Sequence, residues 1–274
     1  MKKVFNEYYL KAEAKIKRNG LRSYYWTGEK NFGDLVTPYL IRKIGFTPIP
    51  SPASIAQVVL CGSNLDVLPP RFKGIIAGGG YIEDGPKHNL PHATALLVRG
   101  PQSKERLNAK GVPVLGDPGL ILPKFIRKSQ LVNGRIGVVP HHSEVGLSDL
   151  ENAVQNKKDL AWISPIQSVE KAVEEITRCD CVLSSSLHGL ITADAFSIPS
   201  AWIQFSKSSK RDSFKYNDYF GSVNINRNPQ LISSRRDIYN VACSKSEKAS
   251  PETISKLKEN ISSTLREVKH VYSK

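Results

Sequence analysis

The 274-residue sequence has few cysteines and no long apolar run, and both absences limit what the protein can be. Its four cysteines, Cys61, Cys179, Cys181 and Cys243, have neither the spacing of a zinc site nor that of a disulfide framework. No run of 18 apolar residues could form a membrane-spanning helix, and the basic N-terminus lacks the apolar segment of a secretory signal. The sequence therefore predicts a cytoplasmic protein.

Acidic residues are scarce, since 25 aspartates and glutamates accompany 39 lysines and arginines and leave a net charge of +14. This excess predicts an anionic partner, such as nucleic acid, an acidic membrane surface or a phosphorylated substrate. Neither the aromatic strands of RNA-binding domains nor a helix-turn-helix pattern is present, so we expect no nucleic acid partner. Clusters of Asp, Glu and His at metal-ligand spacing are also missing, and we predict no metal site.

The most informative stretch is a strand, turn and helix that begins at Cys181. The apolar strand ends in the polar turn Ser184–Ser186, and a small-residue helix follows up to Phe196. Such a turn presents free backbone N–H groups and the positive end of a helix dipole, where a phosphate or carboxylate can bind. His188 adds a side chain that changes charge near neutral pH. The alternative is a serine N-cap followed by a histidine that only packs.

A similar turn follows the first predicted strand, Leu21 to Thr27. Asn31, Gly33 and Asp34 lie between this strand and the next predicted helix. Asp34 could be only an N-cap and Gly33 only a tight turn. However, the carboxyl ends of strands are where open α/β sheets bind ligands.

Later strand ends carry further candidates. Three glycines at 78–80 follow a buried strand and would let the backbone approach a ligand closely. Arg99 ends the next strand and could bind a carboxylate or phosphate with two hydrogen bonds, or form a salt bridge within the protein. A short helix is predicted from Gln102 to Lys110, and His141 and His142 end a later strand.

Two series of alternating strands and helices, separated near residue 130, predict an α/β fold with two Rossmann-like domains facing each other across a cleft. We place the N-terminal domain at residues 1–125 and the C-terminal, anion-binding domain at 126–250. Residues 251–274 form a basic amphipathic helix that is predicted to pack back on both halves.

Residues 4–17 have apolar side chains at helical spacing, with lysines on the opposite side. This stripe consists of Phe5, Tyr8, Tyr9, Ala12 and Ile16. We expect it to pack on its own domain, with the lysines free to contact anionic lipid.

Taken in order, these motifs resemble the polysaccharide pyruvyl transferase family over about residues 21–205. The residues that carry the resemblance are Asn31–Asp34, Gly78–Gly80, Val98-Arg99, Asp117-Pro118, Ser185–Gly189, Ala193 and Ile198-Pro199. The resemblance implies a fold similar to GT-B glycosyltransferases. It also implies that the pyruvyl group of phosphoenolpyruvate is transferred to two hydroxyls of a sugar, with phosphate released and no cofactor required.

In this chemistry an acid protonates the methylene carbon of phosphoenolpyruvate, and a base assists the sugar hydroxyls. We predict His188 as the acid and Asp34 as the base. The predicted substrate-binding residues are Asn31, Gly33, Gly79, Gly80, Arg99, His141, Ser185, Ser186, Leu187 and Lys207.

One position departs from the family pattern. The family usually has an arginine immediately before the Leu-His pair, where this chain has Ser186. If that arginine holds the donor, another cation must replace it, and Arg99, Lys207 and Lys210 are candidates.

Two other functions remain open from the sequence. A nucleotide-sugar glycosyltransferase would share the architecture, but retaining enzymes of this type commonly use a glutamate, and none occurs from Val182 to Ser206. A non-catalytic relative that binds acidic glycans would explain Ser186.

The basic chain ends are consistent with a lipid-diphosphate-linked acceptor at the inner membrane face. The sequence predicts neither the acceptor sugar nor the oligomeric state.

Overall fold

A computed structural model describes residues 2–29, 31–146, 149–155, 157–205 and 213–273, with the side chains of 2–6, 149, 153 and 155 left out. Over these ranges the chain forms two parallel β-sheets with helices packed against them. No helix in them is long and apolar enough to cross a bilayer.

The first sheet consists of β1 (Gly20–Tyr24), β2 (Thr47–Pro50), β3 (Val58–Val59), β4 (Ile75–Ala77), β5 (His88–Val98), β6 (Leu107–Lys110) and β7 (Val114–Leu115). The second consists of β8 (Ile136–Val139), β9 (Leu160–Trp162), β10 (Cys181–Ser184), β11 (Ser200–Phe205) and β12 (Gln230–Ile232). The helices are α1 (Lys2–Lys17), α2 (Phe32–Lys43), α3 (Pro101–Arg106), α4 (Asp149–Gln155), α5 (Val169–Thr177), α6 (Leu187–Ala195), α7 (Phe214–Val223), α8 (Arg235–Lys245) and α9 (Pro251–Tyr272). Short 3₁₀ helices cover Leu65–Val67, Pro118–Lys124 and His142–Glu144.

The strand order of both sheets reverses once. The first sheet has the order β2-β1-β3-β4-β5-β6, with β7 also paired to β5, and the second has the order β12-β11-β10-β8-β9. All of these pairs are parallel. The predicted α/β class with two Rossmann-like halves is therefore confirmed. The GT-B-like arrangement of the halves stays a prediction.

Local sequence explains the elements that hold the site. Every residue of β10 is buried, as expected for a central strand whose two faces are both covered. The helix before it, α5, begins at Ser168, whose side chain accepts a hydrogen bond from the Lys171 N–H. Val169, Val173 and Ile176 form its buried face, which fixes how it packs beside the sheet.

One hydrophobic core runs through both halves. It includes Val36 of α2, Leu190 of α6 and Ile261 of α9. Helix α9 also makes polar contacts with both halves, since the Tyr272 hydroxyl donates to the carbonyl of Gln57 at 2.6 Å. The Lys258 ammonium of the same helix donates to the carbonyl at the end of α6 at 2.8 Å. The two sheets therefore share packing that neither could form alone.

The helix predicted from Gln102 to Lys110 is wrong in its second half. The helix α3 ends at Arg106, and residues Leu107–Lys110 form the edge strand β6, which pairs with β5. Tertiary pairing at the edge of the sheet overrides the local helical preference of this segment.

The predicted packing of the N-terminal helix is also wrong, although the helix itself forms. The exposed fractions of the supposed packing residues are 70% at Tyr8, 65% at Tyr9 and 82% at Ile16. The side chain of Phe5 lies outside the described residues. The apolar stripe therefore faces away from the domain.

The opposite face of α1 packs instead. Leu10 and Ala14 are buried, and Ala14 lies against the start of β1. A β-carbon at Gly20 would be 2.9 Å from the Ala14 β-carbon and 2.6 Å from Ile49 Cδ1. Small residues thus let this face approach the sheet edge more closely than the aromatic stripe could.

A fully buried ion pair joins the two halves. The Arg99 Nε donates to Asp218 Oδ2 on α7 at 3.0 Å, and both side chains are almost completely inaccessible. Arg99 also donates to Ser63 Oγ at 2.7 Å and to the Tyr81 carbonyl at 2.6 Å. Asp218 accepts two further hydrogen bonds, from the N–H and hydroxyl of Ser103 at 2.8 and 2.6 Å. These partners satisfy both charges away from water.

We expect Asp218→Ala to destabilise the protein by about 3–5 kcal/mol, because it leaves the buried Arg99 charge without its partner. The measurement is the free energy of urea unfolding. Glu174→Ala is the matched control, since it breaks the exposed Glu174–Arg178 pair and should change stability little. Equal effects of the two substitutions would contradict the structural role of the buried pair.

Candidate functional site

The carboxyl edges of the two sheets face each other at their points of strand reversal. The turn after β1 contacts the loop after β9, where the Phe32 N–H donates to the Pro165 carbonyl at 2.8 Å. His142, after β8, lies with its Nε2 3.5 Å from the carboxylate of Glu29, after β1. Strand reversal points are where open α/β sheets bind ligands, so these facing edges form the candidate site.

On the first half, Asn31 and Asp34 form a closed pair at the start of α2. Asn31 Oδ1 accepts from the Asp34 N–H at 3.0 Å, and Asn31 Nδ2 donates to Asp34 Oδ2 at 2.5 Å. Burial raises the pKa of the Asp34 carboxyl, while His188, the hydrogen bond from Asn31, His142 and Lys215 oppose that rise. The alternative prediction of Asp34 as an N-cap is wrong, because Asn31 caps α2 and Asp34 lies in the first turn of the helix as a carboxylate with a raised pKa.

On the second half, serine side chains shape the turn between β10 and α6. Ser184 Oγ accepts from the Ser186 N–H at 3.0 Å and lies 3.0 Å from the Val139 carbonyl. The Ser185 hydroxyl donates to Glu144 at 2.5 Å and accepts from the His141 N–H at 3.0 Å. The structure therefore gives Ser184 and Ser185 a part in holding the turn. Their part in binding substrate stays a prediction.

The imidazole of His188 lies directly against the first half. A β-carbon at Gly33 would be 2.6 Å from His188 Cγ, and the ring makes an edge contact with Phe32 at 6.5 Å between centroids. His188 Nε2 is buried without a hydrogen-bond partner among the described residues. The site thus brings together His188 and Asp34, which are 154 positions apart in the sequence.

Glycine is required where the strands of the first half end. Gly79 has a φ of +78°, which favours glycine. A β-carbon at Gly80 would be 2.6 Å from the Arg99 guanidinium carbon, so this glycine makes room for the buried ion pair. Gly80 therefore has a packing role, and substrate contact at both glycines stays a prediction.

Other predicted residues lie away from this contact. The Arg99 guanidinium forms the buried ion pair with Asp218. A salt bridge within the protein was the alternative to substrate binding that the sequence left open for this residue. Leu187 is buried in the shared core. The ring of His141 lies beside that of His142, tilted by 35° with centroids 4.1 Å apart. Lys207 and Lys210 lie outside the described residues, so their predicted roles are untested.

Sequence reasoning missed Asn64 as a residue of the site. Its Nδ2 donates to the Cys61 carbonyl at 2.9 Å, and the residue is only 7% exposed. Both Asn64 Nδ2 and Asp34 Oδ1 lie within 3.5 Å of where a β-carbon of Gly62 would stand. Its position after β3, beside the strand reversal, was the signal that could have identified it.

A cavity of about 260 Å³ adjoins the turn after β10. Its lining includes Glu144, Ser185, Trp202, Gln204 and Tyr216. Trp202 stacks on Tyr216 with centroids 4.4 Å apart, which gives one wall a flat aromatic character. In the described residues no group of three His, Cys, Asp or Glu side chains could hold a metal ion.

Two parallel sheets that bring a histidine and a carboxylate together at their facing edges form an α/β fold with a candidate active site. The polysaccharide pyruvyl transferase family model matches residues 1–206, and the chain belongs to that family. The protein is therefore a transferase, and the resemblance predicted from the motifs is confirmed.

The chain is also similar to several individual proteins. The succinoglycan biosynthesis protein ExoV of Rhizobium meliloti is 27% identical over 222 residues, which cover 77% of this chain and 68% of the relative. The uncharacterized protein L143 of Acanthamoeba polyphaga mimivirus is 29% identical over 117 residues, 41% of each chain. A crystal structure of the uncharacterized protein KP1_0663 from Klebsiella pneumoniae superimposes with a TM-score of 0.45 at 12% identity, covering 85% of this chain and 98% of its own.

We expect Gly33→Ala to destabilise the wild-type protein by about 1–3 kcal/mol, because the added methyl overlaps the His188 ring. In a His188→Ala background the ring is gone, and the same change should cost nothing or stabilise α2 slightly. Urea unfolding of the four proteins in this double-mutant cycle gives the coupling free energy. Additive effects would show that the two side chains are not in contact.

Proposed function

We propose that the protein transfers the pyruvyl group of phosphoenolpyruvate to two hydroxyls of a sugar in an exopolysaccharide precursor, forming a ketal and releasing phosphate. The family and the relative named for succinoglycan biosynthesis support the reaction class and the setting. The observation that carries the proposal is the contact of His188 with the Asp34 turn across the two halves.

The proton balance of this reaction needs one acid and one base. His188 gives a proton to the methylene carbon, which becomes a methyl group, and the adjacent carbon becomes open to attack. Asp34 receives the proton of the first sugar hydroxyl as its oxygen bonds to that carbon. The carbon–oxygen bond to phosphate then breaks, the second hydroxyl closes the ring, and its proton leaves with phosphate.

Burial raises the pKa of Asp34, which strengthens it as a base. A base must be ionised, and the raised pKa of Asp34 makes it bind a proton more readily than an exposed aspartate would. The acid limb of the pH–rate profile should accordingly lie above the range of an ordinary aspartate.

Phosphoenolpyruvate carries roughly three negative charges, and cations and helix N-termini stabilise such charges. Several groups of the site can supply this stabilisation. His188 is the second residue of α6, so the N-terminus of this helix is next to it. His142 and Lys215 are close enough to the Asp34 carboxyl to lower its pKa. These groups stand near the position where the family arginine is replaced by Ser186.

The central test is phosphate release from phosphoenolpyruvate with a screen of carrier-linked oligosaccharides, read by a mass gain of one pyruvyl ketal. His188→Ala should lower turnover by at least roughly a hundredfold, because general acid catalysis typically contributes 10²–10⁴. His92→Ala is the matched control, since His92 is exposed on β5 and should leave turnover unchanged.

Other outcomes assign other functions. Release of a nucleoside diphosphate from nucleotide sugars would identify a glycosyltransferase. No turnover with any acceptor would favour a non-catalytic relative that binds acidic glycans. Unchanged turnover in His188→Ala would remove His188 as the acid.

We also propose that the protein works in the cytoplasm at an anionic membrane surface, where a lipid-diphosphate-linked acceptor would be presented. Tyr9 and Ile16 project from α1 on the side opposite its packed face, and Lys11 and Lys15 are exposed on the same helix. An exposed apolar stripe flanked by lysines is suited to the interface of anionic lipids.

We expect the protein to co-sediment with vesicles of phosphatidylcholine and phosphatidylglycerol, less at higher salt, and poorly with phosphatidylcholine alone. Replacing Tyr9 and Ile16 together by serine should weaken this binding by roughly tenfold or more, since it removes the apolar contact area. Val112→Ser is the control, because Val112 is also 82% exposed but lies outside α1. Equal binding to neutral vesicles, or binding that survives the double substitution, would contradict this location. If the double substitution instead lowers the sedimentation coefficient of the protein without vesicles, the stripe is a contact between two copies of the chain.

A further inference from the structure

The cavity beside the turn after β10 is lined by amide side chains that the described part of the chain leaves unused. Gln204, Asn217 and Asn228 all line this cavity of about 260 Å³. None of their carboxamides has a hydrogen-bond partner among the described residues. Asn217 and Asn228 are exposed, and the amide of the half-buried Gln204 is not enclosed by protein. A ligand from solvent can therefore reach all three.

Local geometry directs two of these side chains into the cavity. Alternation along β11 puts Gln204 on the same face as Trp202, which also lines the cavity and stacks on Tyr216 of α7. Asn217 follows Ser213 by four residues, and residues three and four apart share one face of a helix. Ser213, Tyr216 and Asn217 therefore face the cavity together.

The third amide and the opposite wall place the cavity next to the candidate site. Asn228 lies in the loop before β12, and the pairing of Ile203 with Gln230 brings this loop beside β11. Ser185, three residues before His188, lines the cavity from the side of β10. His188 itself is not among the described lining residues. A ligand in the cavity would thus lie beside the reacting groups rather than on them.

The lining matches a neutral, hydroxyl-rich ligand. A carboxamide both donates and accepts hydrogen bonds, as does a sugar hydroxyl. The charged side chain among the described lining residues is the carboxylate of Glu144, which disfavours an anion such as phosphoenolpyruvate. The aromatic wall suits the apolar C–H face of a sugar ring. The volume is just below the roughly 300–1,000 Å³ of pockets for drug-sized ligands, which suits one sugar unit.

We infer that this cavity is a saccharide subsite, which binds a neutral sugar unit next to the unit that receives the pyruvyl group. The inference rests on the proposed function, and it makes the acceptor an oligosaccharide rather than a single sugar. Gln204, Asn217 and Asn228 hold the neighbouring unit by hydrogen bonds. These contacts are the same before and during the reaction, so they contribute to acceptor binding and leave the chemical step unchanged.

The first test measures binding without turnover. The wild type should bind neutral oligosaccharides on an array of neutral and uronic-acid-containing glycans. NMR titration with the neutral glycan that binds best then gives the affinity. The double variant Asn217→Ala/Asn228→Ala should weaken it by roughly tenfold, because two hydrogen bonds are lost. Both residues are exposed, so the fold should be unaffected.

The matched control is Asn240→Ala/Asn133→Ala. Asn240 is exposed on α8 and Asn133 is exposed in a loop, as Asn217 and Asn228 are on α7 and in a loop. Their carboxamides also have no partner among the described residues, and they line neither of the two cavities beside Tyr216 and Arg106. This variant should bind the glycan as the wild type does.

The second test uses the acceptor found in the turnover screen. Asn217→Ala/Asn228→Ala should raise the KM for that acceptor by roughly tenfold, with kcat and the KM for phosphoenolpyruvate unchanged, which is the pattern of lost uniform binding. A shortened acceptor without the neighbouring sugar should be used equally well by the wild type and the double variant.

Three results would overturn the inference: no neutral glycan binds the wild type, the double variant binds as the wild type does, or inorganic phosphate displaces the glycan. The reaction can be judged separately. Glycan binding that depends on the two amides, in a protein that releases no phosphate from phosphoenolpyruvate, would refute the proposed function and leave a sugar site. Turnover with an unchanged acceptor KM in the double variant would keep the function and remove the subsite.

Discussion

The buried ion pair between Arg99 and Asp218 determines how the two sheets meet. It joins the end of β5 to the middle of α7, and there is no room between these elements, since a β-carbon at Gly100 would be 2.6 Å from Asp218 Oδ1. Because α7 follows β11 in the chain, fixing it on the first half also fixes the carboxyl edge of the second sheet. The contact of His188 with Gly33 depends on that alignment.

Local pattern was sufficient to predict the fold class and the local structure of two turns of the candidate site. The buried strand, polar turn and small-residue helix around His188 occur as predicted, and the Asn31–Asp34 turn lies at the start of α2. Both follow from the general rule that parallel sheets bind ligands at strand carboxyl ends. The rule needs only the order of strands and turns, which periodicity supplies.

Contacts between distant segments were beyond this reasoning. Nothing near Arg99 in the sequence indicates that Asp218, 119 positions away, would bury its charge. The packed face of α1 was misjudged for the same reason, because the close approach of Ala14 to Gly20 and Ile49 depends on the shape of the sheet edge. Asn64 was missed because a single asparagine forms no recognisable sequence motif. Only the folded turns bring it close to Asp34.

The single core shared by the two sheets has a consequence for motion. In many two-lobed enzymes each lobe is an independent rigid body, and substrates enter when a hinge opens. Here Val36, Leu190 and Ile261 pack in one continuous interior, and α9 ties both lobes together. Wide opening would expose that shared interior to water, so a hinge motion that separates the lobes carries a cost in buried apolar area that lobes with separate cores do not have.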